Sequence, residues 1–444
     1  MLSCNFKLLG RQVSIFILLS LLSSTVFAQA YTSKTSYTIL GIVKSSSDST
    51  GISTAHIFIP NKVIGTVTNS AGEFELKIPS DISPVELSFS AIGYKLNTIL
   101  VNTDTIITIF LDESIYQLNE IIITGNKFDS ASYIFDTAID RIKFNYPRKP
   151  HLMEGFYREI SMKDTIVGRL IEAAVLVQES GYTKEFFKGK ALEETKNRIK
   201  VVELRKSDDF MEYDLMGKIY KLLLGEKNEL YMTLRKNYVR AFDTNVEQYM
   251  LSYENLKKYD MHYIGQGFWG NEIVYILSLS IPQVFRVEKI RFYINKTDFA
   301  FVKIEKTGVP GKNWEGSGVN LIEGKYFDKA EVTYRKITNR YFPTFIQSIQ
   351  SAYGASSTAT LEDKEVKQFT NSVLLLINIY EDDFSKIKWK EVESQNEDLY
   401  TKDTPYNESF WNNFNTVKNN PLKRVPNELE KEKSLEDQFK RKKN

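Results

Sequence analysis

Histidines, cysteines, activated serines and converging carboxylates build most active sites, and in this chain they are few and scattered. The histidines are His56, His151 and His262, and none lies in an H-E-x-x-H run or another tight ligand spacing. The single cysteine, Cys4, precedes an apolar run near the N-terminus. A zinc site would therefore have to gather carboxylates from distant stretches. His56 falls in "TAHIFIP", where alternation makes it a strand-face residue; His151 follows Pro150 in a loop, and His262 sits in a strand beside Tyr263. Ser317 in "WEGSGVN" has glycines on both sides but not the G-x-S-x-G elbow, so the stretch reads as a glycine-rich loop. "GVPGKNWEG" lacks the G-x-x-x-x-G-K-[ST] pattern that cradles phosphate. Asp208-Asp209 and Asp382-Asp383 are consecutive, which in a strand sends them to opposite faces.

One denser polar set stands out: Glu154, Arg158, Glu159, Arg169 and Glu172. Alternation places Arg158 with Glu154 on one face of "EGFYREI", and a hairpin could set Arg169 and Glu172 opposite them. The set reads as a structural ion-pair cluster, with ligand contact as the alternative. These patterns assign no catalytic residue, no cofactor and no metal ligand.

The elements that must position such residues begin after a leader. Lys7 and Arg11 precede the apolar run "VSIFILLSLLSSTVFA", which leads into Ala28-Gln29-Ala30, the order of a secretory signal. Cys4 leaves with it. The whole chain of 444 residues has 58 basic and 56 acidic side chains. Without Lys7 and Arg11 the two signs balance, so no global field favours nucleic acid. The exported chain has no disulfide framework and relies on ordinary cores. No later segment is apolar enough to span a membrane as a helix.

From Tyr37 to about Glu113 short strands alternate with turns. In "EFELKI", Phe74, Leu76 and Ile78 face one way, and in "VELSF" Val85, Leu87 and Phe89 do the same, while "NSAG" supplies a hairpin turn. This spacing predicts a small β-sandwich. "ILGIVKSS", "ISTAHIFIPNKVIGTVTNSAGEFELKI" and "LSFSAIGYK" resemble the carboxypeptidase regulatory-like domain through Gly41, Ala55, Gly65, Thr66, Thr68, Gly72, Phe74 and Ile92-Gly93-Tyr94. Thr68-Asn69 stands where that family usually has Thr-Asp. The resemblance implies an all-β, transthyretin-like (Ig-like) sandwich of about seven strands without peptidase residues. It is similar to the amino-terminal extension of Bacteroidetes outer-membrane receptors and surface proteins.

Further on, "DSASYIFDTAIDRIKFNYPRKP" spaces Ile134, Ala138 and Ile142 as an amphipathic helix stopped by Pro147 and Pro150. A second helix is expected over "YDLMGKIYKLLL". "GFYREISM", "TIVGRLIEAAVLVQES" and a series from Asp260 to about Tyr380 read as antiparallel strands, with turns at "FWGNE" and "NKTD". This predicts an α+β domain, a large curved antiparallel sheet with a few helices. The order resembles lipoprotein-carrier-like half-barrels. The stretches Asn145-Tyr146-Pro147, Phe156-Tyr157-Arg158-Glu159 and Phe410-Trp411 with Asn413 resemble secreted Bacteroidetes proteins that carry the same sandwich.

The expected organisation is a leader over 1–30, the sandwich over 36–113, a linker strand over 114–128, the α+β domain over 129–392 and a polar tail over 393–444 with short helices. The tail reads as solvated, its basic end within reach of anionic lipid. In the linker, Leu118, Glu120, Ile121, Ile122, Ile123, Thr124 and Gly125 resemble the TonB box of transport receptors; the alternative is a β-branched tether. The expected protein is a non-catalytic binding or scaffold protein of the periplasm or outer membrane. It would hold an apolar or acyl ligand or a protein partner. A hydrolase using dispersed carboxylates on peptide or glycan, and a degenerate TonB-dependent transport component, are the alternatives.

Overall fold

The computed structural model describes residues 36–114, 131–163, 166–182, 197–211, 228–242, 251–312, 328–351, 368–418, 428–430 and 433–440. The leader, Leu118–Gly125, the helix expected over 213–224 and the glycine loop 314–320 lie outside the described residues.

Seven strands form the first unit, as the sequence predicts. They are β1 (Ser36–Ser45), β2 (His56–Phe58), β3 (Gly65–Val67), β4 (Glu73–Pro79), β5 (Val85–Ser90), β6 (Asn97–Val101) and β7 (Thr105–Leu111). One sheet has the order β4-β1-β7 and the other β3-β2-β5-β6. The inward residues of both, among them Ile39, Val43, Phe74, Leu76, Leu87 and Phe89, make one apolar core. The family features have local causes. A Cβ at Gly41 would stand 2.6 Å from the Ile107 carbonyl oxygen and 2.6 Å from the Phe74 ring, so only glycine lets the strands close there. Thr68 donates its hydroxyl to the Ile52 carbonyl at 2.6 Å and accepts from the Ala55 amide at 2.8 Å. Asn69 Oδ1 accepts from the amides of Ala71 and Glu73 at 3.0 and 2.9 Å, building the turn that Asp usually makes.

A ten-stranded antiparallel sheet dominates the rest. It contains β8 (His151–Lys163), β9 (Ile166–Glu179), β10 (Asn197–Lys206), β11 (His262–Trp269), β12 (Glu272–Pro282), β13 (Arg286–Asn295), β14 (Phe301–Pro310), β15 (Asp328–Ile337), β16 (Arg340–Ser351) and β17 (Gln368–Tyr380). The order β10-β9-β8-β17-β16-β15-β14-β13-β12-β11 leaves β10 and β11 at opposite edges, so the sheet is open. The last strand returns beside the first, with Arg158 opposite Val373 and Glu159 opposite Ser372. His151, expected in a loop, opens β8 and sits opposite Glu179.

One face of this sheet carries helices. The stripe on α1 (Ala131–Asn145) buries Ile134, Phe135, Ala138 and Ile142, as its four-residue spacing requires. The Phe135 ring lies 5.0 Å from Phe292, and Phe242 lies 5.1 Å from Phe301. Three short helices complete the cover: α2 (Glu229–Leu234), α3 (Tyr238–Phe242) and α4 (Tyr253–Leu256). No helix among the described residues is long and apolar enough to cross a membrane.

The other face is covered by the sandwich and by the C-terminal stretch. Val67 of β3 joins Phe156, Ala174, Phe345, Leu375, Trp411, Phe414 and Val417 in one apolar cluster. The tail read from sequence as solvated is therefore packed over much of its described length. Its helix α5 (Glu408–Asn413) buries Trp411. A second short helix, α6 (Leu435–Phe439), follows, its Gln438 side-chain Nε2 donating to the Lys433 carbonyl at 2.8 Å. Composition made this stretch look polar, but a few aromatic side chains suffice to bind it.

Candidate functional site

Strand alternation splits the polar set of the β8–β9 hairpin between two faces. On the sandwich face Arg158 meets its cross-strand neighbour Glu172, Nη2 to Oε1 at 2.5 Å, and Arg205 of β10 meets the second carboxylate oxygen at 2.5 Å. Arg205 lies 4.3 Å from the Trp411 ring centroid. Burial opposes charge on Glu172, but the two guanidiniums outweigh it and hold its carboxyl below the ordinary value. Glu154 stands apart, accepting from Asn378 at 3.1 Å and Tyr380 at 3.4 Å. Arg158 and Glu172 thus form an ion pair, and Glu154 is not part of it.

On the helix face Arg169 bridges two carboxylates, donating to Glu159 and to Asp398 of the C-terminal stretch, both at 2.7 Å. The Tyr157 hydroxyl donates to the second Glu159 oxygen at 2.9 Å. Burial, opposed by Arg169, raises the Glu159 carboxyl above its usual range. Nearby, Glu229 at the start of α2 accepts from Gln350 at 2.6 Å and from the Ser372 hydroxyl at 3.3 Å. Burial, then the neighbouring Glu159, pushes Glu229 up to about 8. Thr233, one turn further along α2, donates to Ser372 at 2.9 Å.

These groups continue across the sheet as a polar belt. The Lys306 ammonium of β14 reaches Glu288 of β13 at 2.8 Å and Asp328 of β15 at 2.9 Å, and Arg286 joins both carboxylates. The belt so runs from β9 to β13 at one end of the helix face. Beyond it the face turns apolar, with Tyr157, Ile290, Phe292, Ile304, Val332, Ile346 and Leu374 all buried in one core. A charged band bordering an aromatic and aliphatic interior can hold the two ends of an amphiphile.

A second buried constellation closes the opposite end. His151 Nε2 lies 3.6 Å from Glu179 Oε2, and Arg240 of α3 lies 3.0 Å from Oε1. Burial lowers the His151 imidazole despite the adjoining carboxylate. Asn237 links the Tyr182 and Tyr334 hydroxyls at 2.7 and 2.8 Å. His56 belongs to neither group. It docks the sandwich on the sheet, Nε2 at 3.3 Å from the Thr333 hydroxyl and its ring edge-on to Trp269 at 5.1 Å. Beside it, buried Arg335 donates to the Val63 carbonyl at 2.9 Å and lies 4.4 Å from the Phe58 ring. Among the described residues, no three or more His, Cys, Asp or Glu side chains gather as a metal site.

Glu229, Gln350, Ser372 and Asp398 were not singled out in the sequence. The available signal was alternation: Glu159 lies in register with Met153 and Tyr157, which puts a carboxylate on an apolar face.

Together these features define a class, a transthyretin-like sandwich docked on an open, helix-covered antiparallel sheet. Residues 39–123 match the family model of the CarboxypepD_reg-like domain. No curated protein matches the sequence. Among solved structures, a LolA superfamily protein from Nitrosomonas europaea overlaps 58% of this chain and 95% of its own, at 13% identity and TM-score 0.22. An outer-membrane lipoprotein-sorting protein domain, so described, from Vibrio parahaemolyticus overlaps 58% and 95% at 8% identity and TM-score 0.24. Lipovitellin overlaps 55% of this chain and 26% of its own, at 11% identity and TM-score 0.21.

Proposed function

We propose that the protein is a non-catalytic binding protein of the cell envelope that shelters the acyl part of an amphiphile. The acyl chain lies against the helix face of the large sheet and the polar headgroup at the belt of Arg169, Glu159, Glu229, Lys306 and Asp328. The observation that carries this reading is the border between that belt and the apolar interior, lying beneath α2. The helices α2, α3 and α4 have six, five and four residues. Helices this short have little stability of their own and are held by the surface beneath them, so an acyl chain that takes their place must replace the contacts of buried Leu230, Phe242 and Leu256. Each CH₂ withdrawn from water contributes about 0.8 kcal/mol, which makes a long chain a competitive occupant.

The test is organic extraction of the protein purified from cells, followed by mass spectrometry, with titration of a fluorescent fatty acid into the stripped protein. Stoichiometric lipid, or saturable probe uptake that unlabelled fatty acid competes away, supports the reading. Absence of both would sink it.

A second reading, a scaffold for a partner protein, rests on Leu100 of β6 with Ile106 and Phe110 of edge strand β7. All three are exposed apolar side chains, Leu100 on the edge strand of one sheet of the sandwich and Ile106 and Phe110 on the edge strand of the other. Ile106→Lys would then release a partner captured by cross-linking in cells and leave acyl binding unchanged.

A further inference from the structure

The hairpin joining β12 and β13 turns on two residues, Val284 and Phe285, closed by the Gln283 amide donating to the Arg286 carbonyl at 2.8 Å. Val284 is 68% exposed and Phe285 48%. Turn chemistry favours Gly, Asn, Asp, Ser or Pro at such positions. Two other two-residue hairpins among the described residues carry such residues at one or both positions, Gly270-Asn271 between β11 and β12 and Thr338-Asn339 between β15 and β16. Neither the turn nor the core calls for valine and phenylalanine at this tip, and the exposed apolar surface costs solubility.

One cation adjoins the tip and two more lie further along the sheet. The Gly311 amide donates to the Phe285 carbonyl at 2.9 Å, which sets exposed Lys312 beside it. Lys289 and Lys329 both sit opposite Thr307, on the face away from the helices, about 13 Å along β13 from the tip in the case of Lys289. Both are exposed. Among the described residues, the acids nearest the tip, Glu288 and Asp328, are engaged by Arg286 and Lys306. Lys289, Lys312 and Lys329 make no ion pair among the described residues, so the surplus among those residues is positive.

We infer that the Val284-Phe285 hairpin is a membrane-docking finger that enters the interface of an anionic bilayer while Lys289, Lys312 and Lys329 meet its headgroups. A bilayer suits these features because it rewards an apolar tip and a cationic collar at the same time. The inference goes beyond the ligand reading and stands without it, since acyl uptake from solution does not require the tip.

Vesicle co-sedimentation tests it, using the chain from Tyr31 onward because the run Val13–Ala28 would itself enter lipid. Vesicles of phosphatidylcholine mixed with phosphatidylglycerol are compared with phosphatidylcholine alone. The protein should bind the anionic vesicles, and more weakly as salt rises. The double variant Val284→Asn, Phe285→Ser keeps a permissible turn and should bind at least about tenfold more weakly, with its urea midpoint unchanged. The triple variant Lys289→Gln, Lys312→Gln, Lys329→Gln should lose the preference for anionic vesicles. Failure of the wild-type protein to bind vesicles would overturn the inference, as would equal binding by the double variant. A tip-dependent dimer in sedimentation velocity, with vesicle binding unaffected, would instead make the finger a protein interface.

Discussion

The Asn415 side chain pairs with the Lys77 backbone in both directions. Its Oδ1 accepts from the Lys77 amide at 2.7 Å and its Nδ2 donates to the Lys77 carbonyl at 2.9 Å. Lys77 lies on β4, an edge strand, so the C-terminal stretch covers an edge that would otherwise present free backbone groups. The Lys77 ammonium in turn donates to the Phe414 carbonyl at 3.1 Å, at the end of α5. With Trp411 buried between the sandwich and the sheet, this stretch fixes how the two are joined.

Trp411→Ala should destabilise the protein by about 3–5 kcal/mol, since it empties a large buried site. Asn415→Ala should cost about 1–3 kcal/mol by leaving the Lys77 groups unpaired. Urea unfolding followed by circular dichroism measures both. A Trp411 variant as stable as the parent would show that the stretch does not clamp the units.

Arg169→Met should be the more damaging of two arginine substitutions at the hairpin, by about 3–5 kcal/mol. It strands the Glu159 and Asp398 carboxylates in a buried site without their shared cation. Arg158→Met leaves Glu172 its second partner, Arg205, and should cost less. Unfolding midpoints of the two variants, compared at one pH, decide the order.

Glu229 gives stability a slope on the alkaline side. Its folded value, about 8, lies above its ordinary 4.5, so the folded protein binds the proton more tightly than the unfolded chain. That contribution is complete below 4.5 and is lost as pH rises toward and through about 8. Glu159, also raised, acts in the same direction. Glu229→Gln should flatten the decline between those limits, as read from denaturant midpoints across the range. An identical slope in the variant would remove Glu229 as its cause.

His56 acts on the acid side with the opposite sign. Burial first, then the positive charges of Arg335 and Lys303, depress its imidazole well below 6.5. The folded protein therefore binds fewer protons there than the unfolded chain. The stability this confers is complete above 6.5 and is lost as pH falls toward the depressed value. Docking of the sandwich should weaken in acid, seen as faster proteolysis between the units, and His56→Phe should remove the acid sensitivity. Unchanged acid sensitivity in that variant would shift the cause to His151, which burial also depresses.

Local pattern carried a good deal of this architecture. Alternation in "EFELKI" and "VELSF" made Phe74, Leu76, Leu87 and Phe89 core residues, and the spacing of Ile134, Ala138 and Ile142 specified α1. The turns at Asn69, Gly270 and Asn295 to Asp298 followed from residues that tolerate tight backbone geometry. These properties depend on a residue and its near neighbours, which a single sequence displays.

The polar belt depends on distance in space. Arg169 and Asp398 are 229 positions apart and Glu229 and Ser372 are 143 apart. Only the return of β17 beside β8, and of the C-terminal stretch beside β9 and β10, brings them together. The composition of residues 393–444 suggested a solvated tail, because composition averages over Trp411, Phe414 and Val417, whereas packing depends on where each side chain lands. The sequence by itself determined the periodicities, and with them two layered units and their inward faces. Which charges meet, which face the sandwich covers and where the apolar tip is left exposed were decided by tertiary structure, because contacts between distant segments exist only once the chain has closed on itself.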